Sequence, residues 1–126
     1  MHRVVLDTNF LIIALEFRID IFQELSRVLD VRFNVYILDK TINELEKLIN
    51  KPKVNQFTIN LVKSFIKRKN IKILRTSRNG YVDDLILSLK PGNLIVATQD
   101  KELKRKLKEK NIPIIIIRQK KYLELI

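Results

Sequence analysis

Five carboxylates occupy positions in this chain from which they could act together. Asp7 closes the apolar run Arg3 to Leu6, Glu44 stands three residues after Thr41, Asp83 and Asp84 follow a polar loop ending at Gly80, and Asp100 comes just after the apolar run Leu94 to Thr98. Hard cations such as Mg²⁺ and Mn²⁺ take carboxylate oxygens and water and need neither histidine nor cysteine. Three or four acids from separate elements are therefore a sufficient donor set. Such a site can activate water and neutralise charge developing on a phosphodiester. His2, beside the N-terminus, is the one histidine, so the imidazole acid–base pair of a metal-free phosphodiesterase cannot be assembled. The chain has no cysteine, which removes thiol nucleophiles, disulfides and cysteine-ligated metals.

Each acid also has an ordinary explanation. Asp7 and Asp100 are natural N-caps, Thr41 and Glu44 have capping-box spacing, and Asp83 and Asp84 complement a helix dipole. The conjunction carries the chemistry: three of the six acids beyond residue 50 fall at helix starts in a strongly basic stretch. Neighbouring helical residues diverge by about 100°, so Asp83 and Asp84 should not serve one metal equally; one is the ligand and the other its support.

The elements that position these acids are read from periodicity. Arg3 to Leu6 is a strand, and Asp7-Thr8-Asn9 turns it into a buried helix over Phe10 to Leu15. Ile19, Ile21, Phe22, Leu25, Val28 and Leu29 form one face of an amphipathic helix. A strand over Phe33 to Leu38 leads to a helix opened by Asp39 or Thr41, with Ile42, Leu45, Leu48 and Ile49 on its apolar face. Pro52 suits the first turn of a further helix running to about Lys69. Ile71 to Leu74 reads as a strand. Val82, Leu85, Ile86 and Leu89 mark a short helix stopped by Pro91-Gly92, Leu94 to Thr98 is a buried strand, and Asp100 caps a basic helix to about Lys110. Ile112 to Ile117 is the last strand, followed by a basic turn and an apolar tail, Tyr122 to Ile126, expected to pack on the chain's own core. Alternating strands and helices predict a single α/β domain over residues 1–126, a three-layer α/β/α arrangement around a mostly parallel sheet of about five strands. Ligands in such sheets collect outside the carboxyl ends of the strands, where Asp7 and Asp100 fall.

The chain of 126 residues is 46% hydrophobic, enough for one real core, and carries a formal net charge of +11. That charge makes nucleic acid the leading partner, through counterion release from phosphates. The basicity is uneven: residues 1–50 carry six Lys/Arg against eight Asp/Glu, while residues 51–126 carry nineteen against six. No apolar run approaches the roughly 20 residues of a membrane span. The expectation is a soluble, cytoplasmic protein with no membrane partner.

Taken in order, four segments resemble a family. Leu6-Asp7-Thr8-Asn9-Phe10-Leu11-Ile12, Asn43-Glu44-Leu45-Glu46-Lys47-Leu48, Tyr81-Val82-Asp83-Asp84-Leu85-Ile86-Leu87 and Val96-Ala97-Thr98-Gln99-Asp100 look like the successive motifs of PIN domains, spaced across essentially the whole chain. The resemblance implies a parallel sheet between helices, a Mg²⁺ or Mn²⁺ site and hydrolytic cleavage of single-stranded RNA. It makes Asp7, Glu44, Asp83 and Asp100 the acidic tetrad, supported by Thr8, Asn9 and Thr98. Asp7, Asp83 and Asp100 are then metal ligands, with Asp84 in reserve; Asp83 is preferred because it precedes the apolar Ile86 by three positions. Many members have a small residue where this chain has Asp84, and tandem acids there occur in the archaeal and eukaryotic rRNA-processing branch. The stretch Ala97 to Leu107 also looks most like that branch, which implies pre-rRNA as a substrate.

Lys101, Lys104, Arg105 and Lys108, on the helix that starts at Asp100, and Arg75 and Arg78, in the loop before Asp83, are the expected RNA contacts. Tyr81 is a stacking candidate, although an isolated aromatic at a helix start more often packs against its neighbours. Three rival readings keep the fold or its acids: a catalytically silent RNA-binding or ribosome-assembly scaffold, the ribonuclease toxin of a toxin–antitoxin pair with an antitoxin as partner, and a phosphoryl-transfer or receiver domain with Asp7 as nucleophile. The last lacks a second acid beside Asp7, where Thr8-Asn9 stands. A homodimer is compatible with all of them.

Overall fold

The computed structural model describes residues 1–48, 51, 55–77 and 79–126. Within them β1 (His2–Leu6), α1 (Thr8–Glu16), α2 (Ile21–Val28), β2 (Phe33–Leu38), α3 (Asp39–Leu48) and α4 (Gln56–Arg68) are followed by β3 (Lys72–Leu74), α5 (Val82–Leu87), β4 (Leu94–Ala97), α6 (Lys101–Glu109), β5 (Ile114–Arg118) and β6 (Tyr122–Leu125). The six strands form one sheet in the order β3-β2-β1-β4-β5-β6. All neighbours are parallel except β5 and β6.

Alternation along β1 decides which layer each side chain serves, because successive strand residues face opposite sides. Val4 and Leu6 join Phe10, Leu11 and Ala14 of α1, Leu25 of α2 and Ile59 and Val62 of α4 in one core. Val5 faces the other way, with Val82, Leu85 and Ile86 of α5 and Leu103 and Leu107 of α6 in a second core. The sheet is thus covered on both faces, as near-continuous apolar strands require.

Two elements differ from the sequence expectation. The apolar tail is a sixth strand: Arg118 to Lys121 turn with Gln119 and Lys120 both at positive φ, 51° and 58°, and Tyr122 to Leu125 return antiparallel on β5. Consecutive left-handed residues fit a hairpin whose twist matches its strands. Leu123 is fully buried, so the tail packs on the chain's own core. Its backbone, on the outer edge of the sheet, is satisfied from α2: Leu123 N donates to Glu24 Oε1 at 2.8 Å, and Arg27 Nη2 donates to Leu123 O at 2.6 Å. The other is the capping box at α3: of the two expected openings, Asp39 and Thr41, the helix begins at Asp39. Thr41 is therefore inside the helix and is not its cap. The expected helix start at Pro52 and the apolar position Ile49 lie outside the described residues; α4 is capped by Asn55, whose Oδ1 accepts from Phe57 N at 2.9 Å.

Candidate active site

The chain leaves β1 toward β2 on one side, while β4 lies on the other, so the β1/β4 boundary is the switch point where connections diverge. Asp7 emerges there from β1 and Thr98 from β4. The ladder continues to the site itself, Asp7 N donating to Ala97 O at 2.9 Å and Thr98 N to Ile115 O at 3.1 Å.

Asp7 is only 3% exposed, and both carboxylate oxygens are engaged. Oδ1 accepts from Thr8 N and Oδ2 from Thr98 Oγ1, each at 2.9 Å. Thr98, fully buried, accepts in turn from Asp100 N at 3.1 Å. One threonine hydroxyl therefore ties the first acid to the backbone of the last. Thr8 is also buried and donates from Oγ1 to Thr41 Oγ1 at 3.1 Å, joining α1 to α3 one turn before Glu44. The supporting roles expected of Thr8 and Thr98 have this geometry; Asn9 is exposed on the lip of a neighbouring cleft. Thr41, read from sequence only as a cap, is the polar support that sequence reasoning missed.

Asp100 does cap α6, its Oδ1 accepting from Leu103 N at 2.7 Å, but this occupies only one oxygen. Asp83 is half-buried in the first turn of α5, and Asp84 beside it is exposed. Asp83, Asp84 and Asp100 together line a cavity of about 120 Å³ between α5 and α6. The loop leading to α5 is tied to α3 through Asp39, which accepts from Thr76 Oγ1 at 2.7 Å and Thr76 N at 3.2 Å. These bonds hold the Asp39 carboxyl below its ordinary range.

Electrostatics show that the acids feel one another. Burial pushes the Asp7 carboxyl from an ordinary 3.8 up to about 6; the hydrogen bonds from Thr98 and Thr8 oppose the rise, and the charges of Asp83 and Glu44 add to it. Burial also raises Asp83, assisted by Asp100, Glu44 and Asp84 in that order. Asp83 thus sits within the field of three other acids and itself acts on Asp7, whereas Asp84 acts on Asp83 alone of these two. Among the described residues no group of three or more His, Asp or Glu is placed to hold a metal ion between them as they stand.

The expected RNA contacts divide. Arg105 is committed to its own helix, paired with Glu102 and with Glu109, and Lys106 lies 3.9 Å from Glu102. Lys101, Lys104 and Lys108 make no ion pair among the described residues. Arg75 is exposed beside Thr76, and Arg78 lies outside the described residues. A larger cleft, about 470 Å³, opens between α3 and the Gly80-Tyr81 turn; Thr8, Glu44, Lys40, Lys47 and Lys51 are among the residues that line it. The sequence signal for it was available: Lys40, Glu44 and Lys47 are spaced by four and three, which places them on one helical face.

Comparison with known proteins agrees with this architecture. The family described as "PIN like domain" matches residues 4–120. Ribonuclease VapC4 of Methanocaldococcus jannaschii is 40% identical over 130 residues, spanning 99% of this chain and 97% of that protein. The solved structure of the PIN domain endonuclease Utp24 superposes with a TM-score of 0.81 at 27% identity, covering 98% of this chain and 90% of that one.

Proposed function

This chain belongs to the PIN-like domain family, and on that premise we propose that it is an endoribonuclease that hydrolyses single-stranded RNA with the help of Mg²⁺ or Mn²⁺. The observation that carries the reading is the buried Asp7 at the sheet's switch point, its charge opposed by Asp83 and Glu44. Like-charged carboxylates gathered at a strand-end crevice cost stability and are kept where a cation or a reaction uses them. The two relatives, a ribonuclease and an endonuclease by name, support the same activity.

The donor set fits a hard cation in chemistry. The oxygens are all carboxylate, and Mg²⁺ keeps several waters and binds through one or two carboxylates plus substrate phosphate, so a closed protein cage is not required. Asp7, Asp83 and Asp100 would hold the ion, with Asp84 in support. A bound ion supplies a Lewis acid for the phosphodiester and a more acidic water. Thr8 and Thr98 fix the Asp7 oxygens, and Thr98 also fixes the Asp100 backbone. Glu44 reaches the site from α3, on the cleft side, where it can accept a proton from attacking water.

Pre-rRNA is the substrate favoured by the tandem Asp83-Asp84, and the likeness to the endonuclease Utp24 over nearly the full length of the chain supports internal cutting. The toxin reading draws on the 40% identity with Ribonuclease VapC4, and co-purification of a small partner encoded beside this chain would favour it. The test of the activity is direct. Purified protein should cut a labelled single-stranded RNA in Mg²⁺ or Mn²⁺ and stop in excess EDTA. Cutting that persists in EDTA refutes the metal mechanism, and inactivity on all RNAs with metal present favours the scaffold.

A further inference from the structure

Resting on the ribonuclease reading, we propose that the cleft between α3 and the Gly80-Tyr81 turn seats the nucleotide next to the scissile phosphate, its base stacked on Tyr81 and its phosphates held by Lys40 and Lys47. Three independent features meet there. The first is Tyr81, which is 77% exposed. A tyrosine that packed on its neighbours would be covered, and this one makes no side-chain cap for α5. It therefore presents a ring to the cleft at the end of the segment that carries Asp83 two residues later. An aromatic face on the wall of a strand-binding groove accepts any base, and such stacking is the sequence-tolerant part of single-strand recognition.

The second feature is the charge pattern on α3. Lys40 and Lys47 bracket Glu44 by one helical turn on either side, at the spacings where an acid and a lysine ordinarily pair. Among the described residues neither lysine forms an ion pair, with Glu44 or any other acid. Their ammonium groups remain available to phosphate. This also removes an electrostatic difficulty, since a polyanion brought to a cluster of five acids needs compensating positive charge on its path. α6 supplies less of it than the sequence suggested, because Arg105 and Lys106 face Glu102 and Glu109.

The third is continuity and size. The cleft is lined by Thr8, whose backbone N donates to Asp7, and by Glu44, whose charge acts on Asp7 and Asp83, so a strand lying in it passes beside the acidic site. Its volume of about 470 Å³ falls in the range of small-ligand sites, about 300 to 1,000 Å³, which is adequate for a nucleotide but not for a duplex. Asn9 and Asn43 on its lining offer amide groups to a base edge or a ribose hydroxyl.

The test uses the full chain and a fluorescein-labelled ten-nucleotide single-stranded RNA. Binding is measured in an Asp7→Asn background, which prevents cutting, and steady-state cleavage in the background that retains Asp7. Tyr81→Ala should weaken binding about tenfold or more, the scale of one lost base–aromatic stack. It should raise KM with little change in kcat, and Tyr81→Phe should restore both. Lys40→Gln combined with Lys47→Gln should lower the slope of log affinity against log salt by about 1.4, two single-strand phosphate contacts at about 0.7 each. Thermal midpoints should not move, since Tyr81 and Lys47 are exposed and Lys40 carries no ion pair. Wild-type affinity and KM in these variants, with loss appearing instead in Lys101, Lys104 and Lys108 variants, overturns the cleft assignment and leaves the ribonuclease reading intact. A chain that neither binds nor cuts RNA with metal present overturns both.

Discussion

Asp7→Asn should make the metal-free protein more stable at neutral pH while it abolishes cleavage. The folded-state value of about 6 against an ordinary 3.8 means that the ionised carboxylate is held unfavourably. At about 1.4 kcal/mol for each tenfold change in acidity, the displacement amounts to ~3 kcal/mol above pH 6. The sign follows from proton binding. Between about pH 4 and 6 the folded chain holds a proton on Asp7 that the unfolded chain has released, so stability falls as pH rises through that window. Asparagine removes the charge and keeps an oxygen for Thr8 N, but it turns an amide toward Thr98 Oγ1 in place of an acceptor. A disturbed hydrogen bond of this kind costs about 1 kcal/mol. The net gain at pH 7.5 is then ~1–2 kcal/mol, or roughly 5 °C in thermal midpoint for a domain of this size. The assay is chemical denaturation of both proteins in EDTA at pH 4.5 and 7.5. Their difference isolates Asp7, because the opposite contributions of Glu24, Asp39 and Glu102, whose carboxyls are lowered by hydrogen bonding, are common to both. The gap should shrink at pH 4.5, where native Asp7 is already protonated. Saturating Mn²⁺ should reverse the order at pH 7.5, as a ligand at 100 times its Kd contributes about 2.7 kcal/mol to the protein that binds it. An asparagine variant less stable than the native chain at pH 7.5, or a gap independent of pH, would refute the reasoning.

Thr98→Val should push Asp7 higher still, since it removes the largest influence lowering that carboxyl; the fall in stability between pH 4 and 7 should extend to higher pH, as read by denaturation across that range. Asp83→Asn should eliminate cleavage while Asp84→Asn retains most of it, because Asp83 lies in the field of Asp100 and Glu44 whereas Asp84 is exposed; equal losses in a cleavage assay would put both acids on the metal. Leu123→Ala should cost about 2–5 kcal/mol, the usual range for a fully buried leucine, and a cost near zero by denaturation would mean that β6 is not part of the core. Arg105→Ala should leave RNA affinity close to that of the native chain, since its guanidinium is engaged by Glu102 and Glu109; a large loss by fluorescence anisotropy would show that RNA displaces those pairs.

What could be read ahead of the structure follows the range of the interactions involved. β1 and β4 are short apolar runs ending in residues that cap helices, so strand, turn and following helix were all local, and Asp7 and Asp100 came with them. β6 was not legible. Tyr122 to Leu125 is four residues long, and the turn before it uses Gln119 and Lys120 at positive φ without the glycine or asparagine that normally announces such a hairpin. What makes it a strand is burial of Leu123 and the capture of its backbone by Glu24 and Arg27, about a hundred residues away. The same limit hid Thr41. A Thr-x-x-Glu spacing reads as a capping box, but the helix begins two residues earlier and the hydroxyl meets Thr8 instead.

The basic residues show a different kind of gap, because there the information was local. Glu102, Arg105 and Glu109 are spaced by three and four, and Lys40, Glu44 and Lys47 by four and three; the two patterns look alike on paper. In the structure the first closes into ion pairs and the second does not. Geometry gives a reason for the difference. On α6 all three side chains are exposed and can turn toward one another. On α3 Glu44 is half-buried, and its charge acts on Asp7 and Asp83. A half-buried acid has less freedom to turn toward its helical neighbours, and the lysines on either side line the cleft without an ion pair. Counting charge along a basic chain therefore does not by itself tell which cations are available to a substrate: Arg105 is held by its own helix, whereas Lys40 and Lys47 on α3, like Lys101, Lys104 and Lys108 on α6, make no ion pair among the described residues.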